Sequence, residues 1–164
     1  MPKYSVTRTM GYSARQLFDI AADVDNYRTF LPLVRSSRTF DVRRTEDGRK
    51  SFKGELFVKY AKLGIRERFI SEVTVDTVRL VVESHSSQGP VQHLDSKWKF
   101  LDKPDGTCDV EFNVDYRFKR RAIQFLVAGM FDLVLRKIHS AFEARAVALY
   151  GAPSAPRRTP AASA

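Results

Sequence analysis

The sequence predicts one long helix after a series of strands, and this order restricts the fold more than any other feature. Residues 121–150 form a single helical segment that ends at Gly151, which suits a left-handed helix C-terminal cap. Alternation of apolar and polar residues predicts seven strands before it, over residues 3–10, 34–43, 50–60, 65–73, 77–86, 94–100 and 108–118. A sheet with one apolar face needs cover, so we expect a strongly curved antiparallel sheet that grips this helix.

Local signals predict two short helices after the first strand. Ser13 and Gln16 fit a capping box, in which the serine hydroxyl accepts the backbone N–H three residues on and the glutamine reaches back. Asp25 is predicted to cap a second short helix over residues 26–30, which ends before Pro32 because a residue ahead of proline avoids helical geometry. The predicted fold class is therefore α+β.

Length and composition fit one domain. The chain has 164 residues, 43% hydrophobic and 29% charged, which excludes wholesale disorder. We assign residues 1–151 to the domain, and residues 152–164, rich in proline and alanine, to a disordered tail. The start of the chain lacks a signal-peptide pattern and no apolar run is long enough to span a membrane. We therefore expect a cytoplasmic protein, or one peripheral to the inner membrane.

The net charge of +9 is concentrated in one stretch. Residues 28–68 contain twelve basic and five acidic side chains, so this stretch carries +7 of the total. A basic surface attracts nucleic acid, ribosomes and anionic lipid headgroups without distinguishing between them, and it is also compatible with no partner at all.

Several short stretches in combination point to one family. Residues 22–32, ADVDNYRTFLP, resemble its V-x-D-V-x-x-Y-x-x-F-L/V-P stretch, and residues 68–73, RFISEV, resemble its F-x-S-x-V strand. Residues 89–94, GPVQHL, with WKF at 98–100, resemble G-P-F-x-x-L…W-x-F, and residues 108–112 and 142–146 match the last strand and final helix. Over residues 3–150 the sequence thus resembles the coenzyme Q-binding START-like proteins. This helix-grip (SRPBCC) branch also contains bacterial ribosome association toxins, and its superfamily includes polyketide cyclases.

The resemblance implies a non-enzymatic module that binds a hydrophobic lipid between sheet and helix. It implies ubiquinone, or another isoprenoid lipid, as a bound ligand rather than a catalytic cofactor, and a chaperone role in respiratory electron transport. The alternatives are a toxin-like protein that binds the large ribosomal subunit through its basic surface, and a cyclase/aromatase-like enzyme. Leu33 and Val91 stand where the family usually has Trp and Phe, which leaves the identity of the lipid open.

The predicted ligand-binding residues are inward-facing apolar side chains together with the residues of a predicted mouth. They are Phe30, Leu31, Phe52, Leu56, Val58, Glu67, Phe69, Val73, Leu80, Gly89, Pro90, Leu94, Trp98, Phe112, Val114, Tyr116, Phe125, Met130 and Val134. A fully packed core is the alternative interpretation of the aromatic members, since inward aromatics are usual in cores.

No pattern typical of catalysis or metal binding is visible, and no catalytic residue or metal site is expected. His85, His93 and His139 are scattered, and we expect the first two in surface loops. The single cysteine, Cys108, excludes an intramolecular disulfide and reads as a small buried hydrophobe on the inward face of a strand.

Glu67 is the one acidic residue predicted to face inward, because it aligns with Ile65 and Phe69. A buried carboxylate must be paired, hydrogen-bonded or protonated, and Arg38 is a candidate partner. One interpretation is that Glu67 anchors the polar head-group of a ligand inside an apolar cavity. The alternatives are that Glu67 lies at the rim of the cavity, or that the predicted strand register is wrong by one residue and Glu67 faces outward.

The long helix has more apolar surface than a sheet-covering helix needs. Residues 122–135 contain two polar side chains, Gln124 and Asp132, where one apolar stripe would suffice. The second apolar side is predicted to meet covering loops and the segment of residues 25–33, a second copy of the chain, or an anionic bilayer. For the bilayer, the cations of residues 117–121 would act beside Phe125 and Phe131.

A cavity closed by a helix needs a mouth through which the lipid enters. We predict that it consists of the Gly89–Pro90 loop, residues 27–33 and the start of the long helix. Gly89 would permit the backbone movement that opens it.

Overall fold

The structure, a computed structural model, describes residues 3–61 and 64–153 and contains one seven-stranded antiparallel sheet. The strands are β1 Lys3–Met10, β2 Val34–Arg44, β3 Arg49–Tyr60, β4 Ile65–Asp76, β5 Val81–Ser86, β6 Val91–Asp102 and β7 Cys108–Phe118. The helices are α1 Ala14–Ala22, α2 Tyr27–Phe30 and α3 Arg121–Tyr150. The strand order is β1-β7-β6-β5-β4-β3-β2, which confirms the predicted helix-grip arrangement. Residues 154–164 of the predicted tail lie outside the described residues.

The predicted capping box starts α1. Ser13 Oγ accepts the Gln16 backbone N–H at 3.1 Å, and Gln16 Oε1 accepts the Ser13 backbone N–H at 3.0 Å. The helix then buries Leu17, Phe18 and Ile20 against the sheet. The two hydrogen bonds satisfy donors that a helix start leaves free, and the apolar spacing fixes which face packs.

Asp25 does not cap α2, contrary to the prediction. It lies in a 3-10 turn at Val24–Asn26, and α2 begins after Asn26 with no side-chain cap. The Asp25 carboxylate instead accepts the Thr39 backbone N–H at 2.7 Å and the Thr39 hydroxyl at 2.9 Å. Asp25 thus ties the helical segment to β2.

The core lies between the inner face of the sheet and α3. Trp98 of β6 lies 4.3 Å from the ring centroid of Phe112 in β7 and 4.9 Å from that of Phe142 in α3. Phe142 in turn contacts Phe30 of α2 edge-on, at 5.3 Å between centroids. The predicted orientation of Trp98 and Phe112 toward the helix is confirmed.

The predicted strand over 77–86 is wrong in its first half. Residues 77–80 form a turn, Val78 is 76% exposed, and Leu80 has a positive φ of 57°. Asp76 Oδ1 accepts the backbone N–H groups of Val78 and Arg79 at 3.0 and 2.9 Å. These side-chain hydrogen bonds compete with strand pairing and reverse the chain.

No helix among residues 3–61 and 64–153 has the length and apolar content needed to cross a membrane.

Candidate functional site

Helix α3 has three lengthwise sides with different surroundings. One side is buried against the sheet and carries Phe131, Leu135, His139, Phe142 and Ala146. An adjoining flank is half-buried and carries Val127, Met130, Val134, Ile138 and Ala141. The side opposite the sheet is exposed. The half-buried flank is apolar but incompletely covered by the protein.

The inner face of β3 and β4 opens toward the connection between these strands. Phe52 and Val73 face each other across the two strands and are 4% and 5% exposed. Four residues nearer the connection, the facing pair Leu56 and Phe69 is half-buried. Val58, the next inward residue, is also half-buried. The sheet therefore carries an apolar inner surface that the core does not fully cover.

The segment after α2 lies beside this open end. The Lys59 backbone N–H donates to Leu33 O at 3.0 Å, and Val34 pairs with Val58. A groove of about 450 Å³ runs between this segment and α3, and it is lined by Phe30, Pro32, Arg136, Lys137, Ser140 and Ala141.

We call this region the lateral cleft: the groove, the half-buried flank of α3 at Met130 and Val134, and the open inner end of β3 and β4. Ala141 lies seven residues beyond Val134, so helical geometry puts both on the same flank. Most residues of the lateral cleft are apolar, Glu67 and Ser140 are polar, and Arg136 and Lys137 add positive charge to the groove. Such a surface suits a ligand that has an apolar body and an anionic or polar end.

The predicted binding residues divide into groups. Those that are buried in the continuous core are Phe52, Val73, Trp98, Phe112, Val114 and Tyr116. Those that are half-buried and pack against that core are Phe30, Leu31, Leu56, Leu80 and Leu94. Those that are half-buried on the inward strand ends and helix flank of the lateral cleft are Val58, Phe69, Met130 and Val134. Phe125 is 81% exposed on the opposite side of α3, so its prediction as a wall of the cavity is wrong.

Glu67 faces inward as predicted, but Arg38 is not its partner. Glu67 pairs in register with Val58, on the same face as the buried Val73. Arg38 lies on the outer face, where its guanidinium contacts Glu55 at 3.1 Å and lies 5.0 Å from the Phe40 ring centroid. A register irregularity between Val34 and Ser36 turns Ser37, not Arg38, inward.

The backbone of the Gly89–Pro90 turn lies close against β4. Gly89 has φ of 72°, and a Cβ atom there would lie 2.8 Å from Arg68 O. Beyond the turn, the Lys119 backbone N–H donates to Pro90 O at 2.9 Å. Glycine is needed at position 89 for a close backbone approach, which is a different role from the predicted flexible hinge.

Gly89→Ala is therefore expected to lower the free energy of unfolding by about 1–3 kcal/mol, since it adds left-handed strain and a clash with backbone. Gly64→Ala is the matched control, because Gly64 also has positive φ (64°) but a Cβ there would have no atom of the described residues within 4 Å. Urea unfolding measures both variants. Equal losses in the two would show that the contact with Arg68 O is unimportant.

Cys108 is completely buried, as predicted for a small hydrophobe. Burial raises the pKa of its thiol to about 11, because a thiolate would lose its hydration. The thiolate is the reactive form, so little of it exists at neutral pH.

We expect Cys108 to resist a thiol reagent at pH 8 in the folded protein and to react fully after unfolding in guanidinium. The rate of absorbance change on addition of an aromatic disulfide measures this directly. Rapid stoichiometric reaction of the folded protein would contradict the buried position of Cys108.

His85 and His93 lie on strands, not in the predicted loops. On the outer face of the sheet, His85 contacts Asp95, and His93 Nε2 lies 2.9 Å from Asp115 Oδ1. Within the described part of the chain, no group of three or more His, Cys, Asp or Glu side chains is arranged to hold a metal ion.

A polar groove of about 620 Å³ crosses the outer face, between two rows of cross-strand neighbours. One row is Glu72, His85, Asp95, Asp115 and Lys3, and the other is Thr74, Glu83, Lys97, Asn113 and Ser5. Sequence reasoning missed this groove, because alternation shows which residues face outward but not which strands are neighbours.

Two buried polar atoms in the core lack a hydrogen-bond partner among the described residues: Tyr116 Oη and His139 Nε2. Burial raises the pKa of Tyr116 to about 12, so its hydroxyl stays protonated and able to donate. Burial lowers the pKa of His139, which favours the neutral imidazole. Both side chains lie in the buried layer between sheet and helix, where Phe131 stacks on Tyr116 and Trp98 packs against His139.

The groove residues Arg136, Lys137, Ser140 and Ala141 were absent from the prediction. Their signal was available, since Ala141 follows Val134 at two helical turns. The expectation that residues 25–33 cover α3 did not specify which flank they meet, because this depends on the long-range contact of Phe30 with Phe142.

Comparison with known proteins agrees with this architecture. The mitochondrial coenzyme Q-binding protein COQ10 homolog B of Xenopus laevis is 30% identical over 158 residues, covering 94% of this chain and 62% of that protein. This chain thus spans less than two thirds of that relative. The ribosome association toxin RatA of Escherichia coli strain K12 is 27% identical over 154 residues, covering 93% of this chain and 91% of the toxin.

The solution structure of the 18 kDa protein CC1736 from Caulobacter crescentus superposes with a TM-score of 0.78 at 29% identity, covering 93% of this chain and 100% of that one. The fold is the START-like helix grip that the sequence motifs indicated. The family described as polyketide cyclase / dehydrase and lipid transport matches residues 10–143. The matched residues include α1 and most of α3, so the lateral cleft lies within the match. Because the match covers most of the chain, the protein belongs to this family.

Proposed function

We propose that this protein binds an isoprenoid quinone, ubiquinone in the first place, and carries it without chemical change as a chaperone for electron transport. The observation that carries the proposal is incompletely buried apolar surface at two places, the inner end of β3 and β4 and the half-buried flank of α3. Leu56, Val58 and Phe69 on one side, and Met130 and Val134 on the other, leave apolar surface that the core does not cover.

The driving force would be the transfer of the isoprenoid tail from water. Each buried CH₂ contributes about 0.8 kcal/mol, so one five-carbon unit contributes several kcal/mol. The head of the molecule needs hydrogen-bond donors for its carbonyl oxygens. The Tyr116 hydroxyl, a protonated donor on the inner face of β7, is one candidate for this role. The coenzyme Q-binding name of the Xenopus relative supports the same ligand class.

Mass spectrometry of lipids extracted from the purified protein tests the proposal. A quinone present at about one molecule per chain is expected. A different lipid at that ratio would change the ligand but keep the lipid-binding role. Turnover of a polyketide substrate by the purified protein would favour the cyclase/aromatase-like alternative instead.

Ribosome association is the second candidate, and a specific surface favours it. Arg43 and Arg44 are exposed at the end of β2, within the stretch that carries most of the net charge. The toxin relative is matched over nearly its whole length. In this case the protein co-sediments with large ribosomal subunits at low salt, and Arg43→Glu with Arg44→Glu abolishes that.

A further inference from the structure

The exposed side of α3 carries an uninterrupted apolar stripe. The stripe consists of Ala122, the adjacent pair Phe125 and Leu126, Gly129 and Leu133; both members of the pair lie three or four residues from Ala122 and from Gly129, and Leu133 lies four residues beyond Gly129. All five are exposed, Phe125 at 81% and Leu133 at 41%. The stripe is about 16 Å long and faces away from the sheet. A helix that only covers a sheet has polar residues on this side.

Positive charge brackets the stripe at both ends. Arg117, Lys119, Arg120 and Arg121 precede it, and Arg136 and Lys137 follow it. The single carboxylate in this stretch is Asp132, which is exposed beside the stripe. The stretch thus has six cations and one anion, all exposed. Arg117 lies on the outer face of the sheet in register with His93, and the other five cations lie on α3 or within two residues of its start.

From this arrangement we propose that the exposed stripe of α3 lies in the headgroup layer of an anionic membrane, with Phe125 inserted among the acyl chains. Interfacial helices combine an apolar face with flanking cations in this way. This inference rests on the proposed function, because a carrier of a membrane lipid must contact a membrane. It also deepens that function, since Met130 and Val134 of the lateral cleft lie on the same half of α3 as the stripe.

The charges argue against a second copy of the chain as the occupant. Two stripes face to face would bring together two sets of five cations, and like charges oppose association. An anionic bilayer instead neutralises both brackets. The contribution of each basic residue near such a surface is about 1 kcal/mol, so two arginines change affinity roughly 30-fold.

The position of Phe131 corrects the sequence prediction that it too reaches the headgroups. Phe131 is buried, and its ring stacks on Tyr4 at 3.9 Å and on Tyr116 at 5.1 Å between centroids. Phe131 thus holds α3 to the sheet while Phe125, on the opposite side, is free to insert. The two rings divide the roles of anchor and membrane contact.

The test is co-sedimentation of the full chain with vesicles of phosphatidylcholine containing about one third phosphatidylglycerol, without quinone. We expect binding at low salt that weakens at high salt, because exposed charges are screened. Arg120→Glu with Arg121→Glu is expected to weaken binding at least 30-fold, and Phe125→Ser about 10-fold.

Matched controls lie at the opposite end of the sheet. Arg43→Glu with Arg44→Glu changes the net charge by the same amount, and Val78→Ser removes an equally exposed apolar side chain. Both control proteins should bind vesicles like the wild type. If they lose binding as much as the α3 variants, attraction is not localised to the stripe and the proposal is wrong.

Insertion itself is read from Phe125→Trp, since the native Trp98 is buried. Its emission should shift to the blue on vesicle binding and be quenched by brominated acyl chains. No shift on bound vesicles would overturn insertion. If the chain forms concentration-dependent dimers that Phe125→Ser abolishes, the stripe binds a second copy and the membrane proposal is wrong. If the same residues give salt-sensitive binding to ribosomes but not to vesicles, the partner is the ribosome and the membrane proposal is also wrong. Quinone found in a chain that fails to bind vesicles would leave the proposed function standing and refute this inference alone.

Discussion

Phe142→Ala is expected to lower the free energy of unfolding by about 3–5 kcal/mol. Phe142 is buried and joins α3 to two other elements: it contacts Trp98 of β6 at 4.9 Å, and Phe30 and Tyr27 of α2 at 5.3 and 6.4 Å between ring centroids. Alanine leaves a cavity that these aromatic rings cannot fill without moving. The loss is a large part of the 5–15 kcal/mol that stabilises a typical domain.

Phe125→Ala is the matched control, because it makes the same chemical change on the same helix at an exposed position. Its effect on unfolding should stay within about 0.5 kcal/mol, since surface substitutions without partners are nearly neutral. Chemical denaturation followed by the fluorescence of Trp98 measures both. A loss in Phe125→Ala as large as in Phe142→Ala would show that the exposed side of α3 is packed, contrary to the structure.

Elements with a strong local signal were predicted to the residue. Helix α3 spans Arg121–Tyr150, as its sequence indicates, and Gly151 after it has φ of 84°. The six alternations of β7 specify its faces because a strand with one wet side has a strict period of two. In both cases every residue of the element carries the same signal, so single exceptions do not matter.

The prediction failed where one side chain or one register shift decided the structure. Asp76 reverses the chain through two hydrogen bonds of its carboxylate, which outweigh the apolar alternation of Val78 and Leu80. In β2, an irregularity after Val34 inverts the facing of Arg38. A shift of one residue exchanges the two faces of a strand, and periodicity alone does not locate it.

The sequence predicted which residues face the candidate site, but not which of them remain incompletely buried. Inward positions such as Val58 and Phe69 follow from alternation. Which of them remain half-buried depends on how far α2 and α3 extend over the sheet, a matter of long-range packing. The exposed position of Phe125 also depends on long-range packing. Because α3 is apolar on more than one side near Phe125, the sequence does not show which side packs on the sheet.

Val134→Asp is expected to weaken binding of a short-chain ubiquinone at least 30-fold. Val134 lies on the half-buried flank of α3 in the lateral cleft, so a carboxylate there would lose water when an apolar ligand enters. Burial of an unpaired charge costs several kcal/mol, and about 2 kcal/mol is already a factor of 30. Titration in solution, followed by quenching of Trp98 fluorescence, measures the dissociation constant without a membrane.

The neighbouring residue provides the control. Leu133→Asp introduces the same charge one position earlier, on the exposed side of α3, and should bind quinone like the wild type. Circular dichroism verifies that both variants fold. Met130→Asp, one turn before Val134 on the same flank, is a second test should Val134→Asp fail to fold. If the flank variants and Leu133→Asp bind equally well, the quinone does not occupy the lateral cleft. Because helical geometry separates Val134 from Leu133 by about 100° around α3, the comparison isolates the side of the helix that the ligand contacts.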